Sequence, residues 1–152
     1  MLNTLLLAKT YLIPVLLYGC EIYANCDAND LRKLKVSYNK IARYVYNRGV
    51  CDSISVFSYQ ICNMCFENLL KFKCLIFLQK IIYTAQPTYL YGTINFGRSA
   101  RGLVLIQRIY KAAFSERQFF IYCPRLWNQL SKRIQIISNA NRFKIELLRH
   151  FR

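Results

Sequence analysis

The sequence predicts a mainly α-helical protein, a small helical bundle with an irregular or short-stranded, Gly/Tyr-rich region at about residues 86–122. Three observations lead to this fold class. Apolar residues recur at helical intervals in several segments, glycine and proline punctuate one stretch, and no internal repeat or flexible linker interrupts the chain. With 152 residues, 55% of them hydrophobic, the chain has the material for one core. We therefore expect a single domain over residues 1–152.

The first segment, residues 2–24, has apolar residues at roughly helical spacing, with Pro14 inside it. Because proline removes a helical hydrogen bond, we expect a buried helix that is kinked or restarted near Pro14. The uncharged apolar stretch 11–20 is about half the roughly 20 residues that a spanning helix needs. We therefore expect neither stable membrane insertion nor a targeting segment.

The clearest helix signal lies between Asp27 and Gly49. Asp27 or Asn29 can cap the start, and Gly49 stands where a C-terminal cap belongs. The apolar positions share one face: Leu31, Leu34, Tyr38, Ile41, Ala42 and Val45. Five cations share the opposite arc: Arg32, Lys33, Lys35, Lys40 and Arg43. One face is expected to pack, and the other either contacts nucleic acid or is an ordinary solvated face.

A third helix is predicted for residues 62–84, and it is apolar nearly all round its circumference. Such a helix needs burial on several sides, which a chain of this size has little other sequence to provide. We therefore expect an exposed apolar patch and a chain that is marginally stable or self-associating. The candidates for the patch are Phe66, Phe72, Leu75, Ile76 and Phe77.

The C-terminal half alternates aromatic and basic residues, among them Arg98 and Arg101. Such a stretch can follow a nucleic-acid backbone while its rings stack on bases, or its rings can be core and its charges solvated. Residues 118–122 form a strand candidate, and Pro124 is expected to start a short helix. A last helix is predicted for residues 139–152, with Asn139 or Asn141 as its cap.

The charge balance is strongly basic: 22 Lys and Arg residues face 7 Asp and Glu residues, a formal net charge of +15. Such an excess attracts polyanions, and nucleic acid is the leading partner class. An anionic membrane surface is the competitor, since the same charge beside aromatic residues suits a lipid interface.

The chain offers little for catalysis or metal binding. Its seven cysteines are odd in number and without framework spacing, which indicates reduced thiols in an intracellular protein. Cys62 and Cys65 have metal-ligand spacing but no second pair, so we interpret them as buried thiols. The single histidine, His150, lies near the end of the chain, and the carboxylates are scattered. We expect no cofactor, no metal and no small-molecule substrate.

Several segments in order resemble the C-terminal part of non-LTR (LINE-type) retrotransposon reverse transcriptases. Residues 8–23 are similar to the segment after the palm of these proteins, where a leucine-rich Tyr-Gly is followed by an aromatic. Residues 31–48 are similar to their next basic helix. Residues 99–102 and 119–130 are similar to their closing region, in which Leu-Trp-Asn precedes a leucine and usually a proline; Ser131 stands in place of that proline.

The resemblance implies a thumb and C-terminal region that helps to grip a template-primer duplex. The polymerase motif of the family, an aromatic residue followed by Ala-Asp-Asp, is absent from the chain, and so is a CCHC zinc knuckle. The expectation is therefore a catalytically incomplete fragment of an RNA-directed DNA polymerase, not an enzyme by itself, which binds RNA or DNA in the nucleus or cytoplasm. Its other expected partner is the upstream palm and fingers. The alternative is a small basic membrane-surface or protein-interaction protein unrelated to retroelements.

Overall fold

The computed structural model describes residues 2–99, 102–106 and 118–151, with the side chains in those ranges except those of Leu2, Arg98, Ser99 and Leu103. The described residues are mainly helical with one short two-stranded sheet, which confirms the predicted fold class. The chain divides into two compact units, residues 1–70 with residue 152 and residues 71–151. The single domain over residues 1–152 stays a prediction, which a single cooperative unfolding transition would support.

Unit 1 begins with three consecutive helical pieces. They are α1 (Leu2–Leu7), a π-helical turn (Ala8–Leu12) and α2 (Ile13–Leu16). The wide turn lies directly before Pro14, where the missing N–H and the ring would otherwise disturb an α-helical ladder. The helical path therefore continues through Pro14. The break comes at Gly19, whose φ of +66° lies in the left-handed region, before α3 (Cys20–Tyr23).

The remaining helices of unit 1 are α4 (Ala28–Tyr46), α5 (Ser55–Cys62) and the start of α6 (Phe66–Thr84). Asp27 occupies the N-cap position of α4, one of the two predicted, but its side chain makes no cap hydrogen bond. Asn47, with a φ of 50°, ends the helix instead of Gly49. Asn63, with a φ of 56°, ends α5, so the helix predicted for residues 62–84 begins only at Phe66. Asparagine tolerates the left-handed conformation, and it ends α4 in place of the expected glycine. It also ends α5, a helix that the sequence analysis did not predict.

Tyr38 joins the helices of unit 1. Its side chain is fully buried, its hydroxyl donates to the Ser58 carbonyl oxygen at 2.9 Å, and its ring centroid lies 5.3 Å from that of Phe66. Burial raises the pKa of Tyr38 well above its ordinary value, so the phenol stays neutral and remains a donor. One side chain thereby links α4 to α5 and to the first turn of α6.

Unit 2 contains the rest of α6, then α7 (Thr88–Tyr91), β1 (Asn95–Ser99), β2 (Gly102–Ile106), α8 (Phe119–Gln129), α9 (Lys132–Gln135) and α10 (Ala140–Phe151). The strands pair antiparallel, with Gly97 opposite Val104. A Cβ at Gly97 would lie 2.9 Å from Ile106 Cγ1, so a larger residue would force the neighbouring side chain to move. The region predicted as irregular or short-stranded is where this hairpin lies.

Residues 118–122 do not form the predicted strand. Phe119 already begins α8, five residues before Pro124, which lies inside the helix. The helix buries a broad arc that includes Ile121, Pro124 and Trp127. Because apolar residues cover so much of the circumference of this helix, they do not recur at intervals of three or four residues. The aromatic residues at its start therefore gave no helical signal in the sequence.

Three side chains hold the core of unit 2 in place. The Asn128 amide donates to the Leu105 carbonyl oxygen at 2.8 Å and accepts from the Leu105 N–H at 3.1 Å. Beside it, the fully buried Trp127 stacks on Phe143 of α10, with ring centroids 5.8 Å apart. The buried Gln79 donates from Nε2 to the Ser138 carbonyl oxygen at 2.9 Å. Side-chain amides therefore replace the backbone partners that these segments lack.

The expected exposed patch on the third helix is wrong. Phe66, Phe72 and Leu75 are buried, and Ile76 and Phe77 are partly buried. The predicted cap of the last helix is confirmed at Asn139, whose Oδ1 accepts from the Arg142 N–H at 3.0 Å.

Candidate nucleic-acid interface

The basic arc of α4 is the largest group of predicted site residues that the structure describes. Tyr38, Ala42 and Val45 are the buried residues of α4 and fix which side of the helix faces the core of unit 1. Arg32, Lys33, Lys40 and Arg43 lie on the other side, and Lys35 lies at the edge, one helical repeat before Ala42. All five are exposed except Arg43, which is half-buried. The helix therefore brings Arg32, Lys33, Lys35, Lys40 and Arg43 onto one surface, which we call the α4 basic face.

The cations of the α4 basic face differ in whether they already form hydrogen bonds or ion pairs within the chain. Lys33 Nζ lies 2.9 Å from Asp30 Oδ1, and this hydrogen bond to a carboxylate raises the pKa of Lys33. Arg43 Nε donates to the Gly49 carbonyl oxygen at 3.2 Å and so holds the loop after α4. Arg32 and Lys40 are exposed and have no hydrogen-bond or ion-pair partner among the described residues. These two are the free cations of the face.

Lys35 occupies an intermediate position, because Glu67 at the start of α6 lies beside it. The Lys35 Nζ is 2.7 Å from Glu67 Oε1, and both side chains are about half exposed, at 50% and 49%. Burial alone would raise the pKa of Glu67, but hydrogen bonds from Lys35 and from its own backbone N–H outweigh burial and lower it. Glu67 is therefore an anion that competes with any external anion for Lys35.

An open cleft of about 420 Å³ adjoins the α4 basic face. Its lining is mixed in charge and rich in hydroxyl groups: Lys35, Asn39, Arg43, Asp52, Ser53, Ile54, Ser55, Ser58, Tyr59, Cys65, Phe66 and Glu67. Ammonium, guanidinium and hydroxyl groups are the donors that bind phosphate oxygens. The carboxylates of Asp52 and Glu67 oppose an anion in the same space. A phosphate in this cleft would compete with Glu67 for Lys35.

Arg98 and Arg101 are the other two predicted site residues, and the structure does not describe their side chains. Arg98 belongs to β1, but its side chain lies outside the described residues, and Arg101 lies outside them altogether. Their contribution to a nucleic-acid interface stays a prediction.

Unit 2 has a second basic cleft, which the sequence patterns did not reveal. Arg133 and Arg142 line an open cleft of about 490 Å³ together with Ile136, Ser138 and Asn139. Both arginines are exposed and unpaired among the described side chains. Glu146 also lines the cleft, but its carboxylate pairs with Arg149. The two arginines are nine positions apart and on different helices, so no helical period could have grouped them.

In the described part of the chain, no three His, Cys, Asp or Glu side chains lie close enough together to hold a metal ion. None of the seven cysteines forms a disulfide bond. Cys62 is half-buried and Cys65 is exposed, so the interpretation of both as buried thiols is wrong for Cys65. His150 is exposed, with its ring against Phe151.

Among the helices of the described residues, none has both the length and the apolar composition to cross a membrane.

Comparison with known proteins gives no relative. No protein-family model matches the chain, and neither a curated protein nor a solved structure matches it. The resemblance to reverse transcriptases therefore depends on the sequence segments alone.

Proposed function

We propose that this chain binds RNA or DNA without sequence specificity, as the thumb and C-terminal region of a non-LTR-type reverse transcriptase. The observation that carries the proposal is the exposure of its positive charge. Every described Lys and Arg side chain except Arg43 and Lys71 is exposed, and the ion pairs among the described residues involve Lys33, Lys35 and Arg149. Most of the cationic side chains that the structure describes are thus open to an external polyanion.

The α4 basic face is the part of this surface with the best geometry for a phosphate backbone. Arg32 and Lys40 are eight positions apart, which is about 12 Å along a helix that rises 1.5 Å per residue. Both can therefore contact the backbone of one duplex or one extended strand. Contacts of this kind position a nucleic acid and release its condensed counterions, but they read no base.

In this proposal, the residues that catalyse polymerisation lie in a part of the polymerase outside the present chain. The carboxylate pair that holds catalytic metal ions would come from the palm, and the present chain would grip the template-primer duplex. Purified chain supplied with a primed RNA template, dNTPs and Mg²⁺ should give no primer extension above a blank. Reproducible template-dependent extension would contradict the proposed division of labour.

Binding through the α4 basic face can be tested with a matched pair of variants. The triple variant Arg32→Gln, Lys35→Gln, Lys40→Gln removes three charges from the face and leaves Arg43, which holds the loop after α4, in place. The control Lys73→Gln, Lys80→Gln, Lys144→Gln removes three exposed charges elsewhere. Circular dichroism should show both variants folded.

The readout is the salt dependence of the Kd for a labelled duplex, measured by fluorescence anisotropy. For a duplex, the slope of log K against log salt is shallower by about 0.9 for each phosphate that the protein no longer neutralises, so the triple variant should reduce the slope by about 2–3 units. The control should reduce it less. Equal reductions in the two variants would show that the α4 basic face is only a solvated surface and that binding is spread over the whole chain.

The genomic sequence upstream of the chain tests the proposed family independently of the binding experiment. An upstream reading frame, open or decayed, that encodes an aromatic residue followed by Ala-Asp-Asp would support the polymerase origin. Upstream sequence without that motif would remove the family from the proposal and leave the binding test unaffected.

A further inference from the structure

The basic cleft of unit 2 lies where α9, the following turn and the start of α10 meet, and we call it the unit 2 cleft. Arg133 of α9 and Arg142 of α10 both line its volume of about 490 Å³. Both side chains are exposed, and neither forms an ion pair or a side-chain hydrogen bond among the described residues. Ligand pockets in proteins have volumes of roughly 300–1,000 Å³, so the space is large enough for a small organic anion.

The carboxylate in the lining of the unit 2 cleft already has a partner. Glu146 Oε1 accepts a hydrogen bond from Arg149 Nη1 at 2.5 Å. The cleft beside α4 is different, because Asp52 and Glu67 line the same space as Lys35, and Glu67 already pairs with that lysine. An anion in the unit 2 cleft would therefore meet two guanidinium groups without displacing an internal partner from either.

Hydrogen bonds from α6 hold the turn between α9 and α10 in place. Gln79 is buried and donates from Nε2 to the Ser138 carbonyl oxygen at 2.9 Å. The Tyr83 hydroxyl donates to the Gln135 carbonyl oxygen, also at 2.9 Å. Groups of the chain thus satisfy two carbonyl oxygens of the turn that would otherwise need other donors. A wall that is fixed before a ligand arrives lowers the free-energy cost of binding.

The walls of the unit 2 cleft combine donors for an anion with an apolar surface. Arg133 and Arg142 carry planar guanidinium groups, whose N–H donors match the oxygens of a phosphate. Asn139 uses its Oδ1 to cap α10, which leaves its amide N–H groups as further donors. Beside them, Ile136 is 76% exposed and Ile137 is half-buried. A bare inorganic anion uses only the donors, whereas a nucleotide also has a base whose face packs on apolar side chains.

We propose that the unit 2 cleft binds one unpaired nucleotide of a single-stranded nucleic acid, with the phosphate at Arg133 and Arg142 and the base against Ile136. In a duplex each base is stacked between its neighbours, so only an unpaired base can reach the isoleucine. The inference rests on the proposed function for its choice of ligand. It adds a preference for single strands, which backbone contacts at the α4 basic face do not supply.

An anionic lipid headgroup offers the same phosphate chemistry but fits the unit 2 cleft less well. Proteins that lie on a lipid surface bury a broad apolar face in it. Of the three isoleucines that line the cleft, only Ile136 is exposed, whereas Ile137 is half-buried and Ile134 is 8% exposed. A recessed apolar wall is accessible to a ligand that enters the cleft. It therefore suits the base of a flexible strand better than a flat surface.

The charge of the unit 2 cleft is tested with the full chain by fluorescence anisotropy at one salt concentration. The two labelled ligands are a single-stranded oligonucleotide and a blunt-ended duplex of the same sequence. Arg133→Gln, Arg142→Gln should raise the Kd for the single strand by about tenfold or more, because two charge-assisted contacts are lost. The control Arg125→Gln, Lys144→Gln removes two exposed cations of unit 2 outside the cleft and should raise it less. Equal increases would overturn the proposal.

The apolar wall is tested by a substitution that leaves the net charge unchanged. Ile136→Gln should raise the Kd for the single strand by about threefold or more and leave the Kd for the duplex unchanged, since only an unpaired base contacts this side chain. The control Ile145→Gln, half exposed on α10 and outside the cleft, should change neither value. An equal effect of Ile136→Gln on both ligands, or none on the single strand, would overturn the proposal. Circular dichroism melting curves should show every variant folded.

Failure of the unit 2 cleft and failure of the proposed function give different results. If the cleft variants match their controls while the triple variant of the α4 basic face still reduces the salt slope, the inference is overturned and the proposed function stands. A wild-type chain that binds neither ligand would overturn both. Binding to vesicles of anionic lipid that Ile136→Gln abolishes, with single-strand binding unchanged, would overturn the inference in favour of a lipid surface.

Discussion

The first helical segment, residues 2–23, and helix α6 are both strongly apolar in sequence, yet the structure treats them differently. In α6, Leu69, Leu75 and Leu78 are buried, although the helix is apolar nearly all round and was expected to lack cover. The first segment was expected to be buried, and it leaves Val15 and Tyr18 almost fully in solvent. The difference teaches that the apolar content of a helix sets how much surface it could bury, while the elements packed around it decide how much it does bury.

The largest expected effect that separates the two regions is on stability. Leu75 is 1% exposed and Val15 is 77% exposed. Leu75→Ala should lower the free energy of unfolding by about 2–5 kcal/mol, because it removes buried methyl groups and leaves a cavity. Val15→Ala should change it by no more than about 0.5 kcal/mol. Urea unfolding, at a protein concentration below the onset of self-association, measures the free energy of unfolding of both variants. Similar decreases in the two would contradict the proposed difference between the regions.

A medium effect is expected from the polar side chains of the two regions. Gln79→Leu in α6 removes the buried amide that donates to the Ser138 carbonyl oxygen, and should lower the free energy of unfolding by about 1–2 kcal/mol. Thr10→Ala in the first segment removes an exposed hydroxyl that donates to the Leu6 carbonyl oxygen at 2.9 Å. Its effect should stay within about 0.5 kcal/mol. A larger decrease for Thr10→Ala than for Gln79→Leu in thermal unfolding would reverse the proposed order.

The smallest expected effect on stability concerns Glu67, at the start of α6. The pKa of Glu67 is lowered in the folded chain, so the ion pair with Lys35 stabilises above the ordinary Glu pKa of about 4.3. This contribution disappears as the pH falls through the folded pKa. Glu67→Gln should therefore be less stable than wild type at neutral pH, by about 0–1 kcal/mol for an exposed pair, and no less stable in acid. Urea unfolding at the two pH values measures the difference, and an equal deficit at both would contradict it.

Glu67→Gln, which should lower the stability of the folded chain, should strengthen nucleic-acid binding. Without the carboxylate, Lys35 is free, and the Kd for a duplex should fall while the salt slope grows by up to about 0.9. Glu21→Gln, which removes one carboxylate outside the α4 basic face and outside its ion pairs, is the matched control for a general change in net charge. Weaker binding by Glu67→Gln in anisotropy titrations would show that Glu67 does not compete for Lys35.

Sequence reasoning succeeded where a local signal was complete. The opposed faces of α4 and the Asn139 cap were predictable, because both depend on residues within a few positions of each other. It missed the ends at Asn47 and Asn63, because asparagine is a weaker signal for a left-handed residue than glycine. The burial of α6 and the cleft between Arg133 and Arg142 depend on tertiary packing, which no period in the sequence encodes.

The Asn128 amide also constrains how the hairpin can be aligned. Leu105 directs its N–H and C=O to Asn128 while it stands opposite Phe96 in the other strand. In an antiparallel strand the N–H and C=O groups of successive residues point to opposite edges. If β2 slipped by one residue, the residue beside Asn128 would direct both groups away from the amide, and its side chain would move to the other face of the sheet. A pairing shifted by one residue would lose both hydrogen bonds to Asn128, so this amide stabilises the observed alignment of the hairpin against α8.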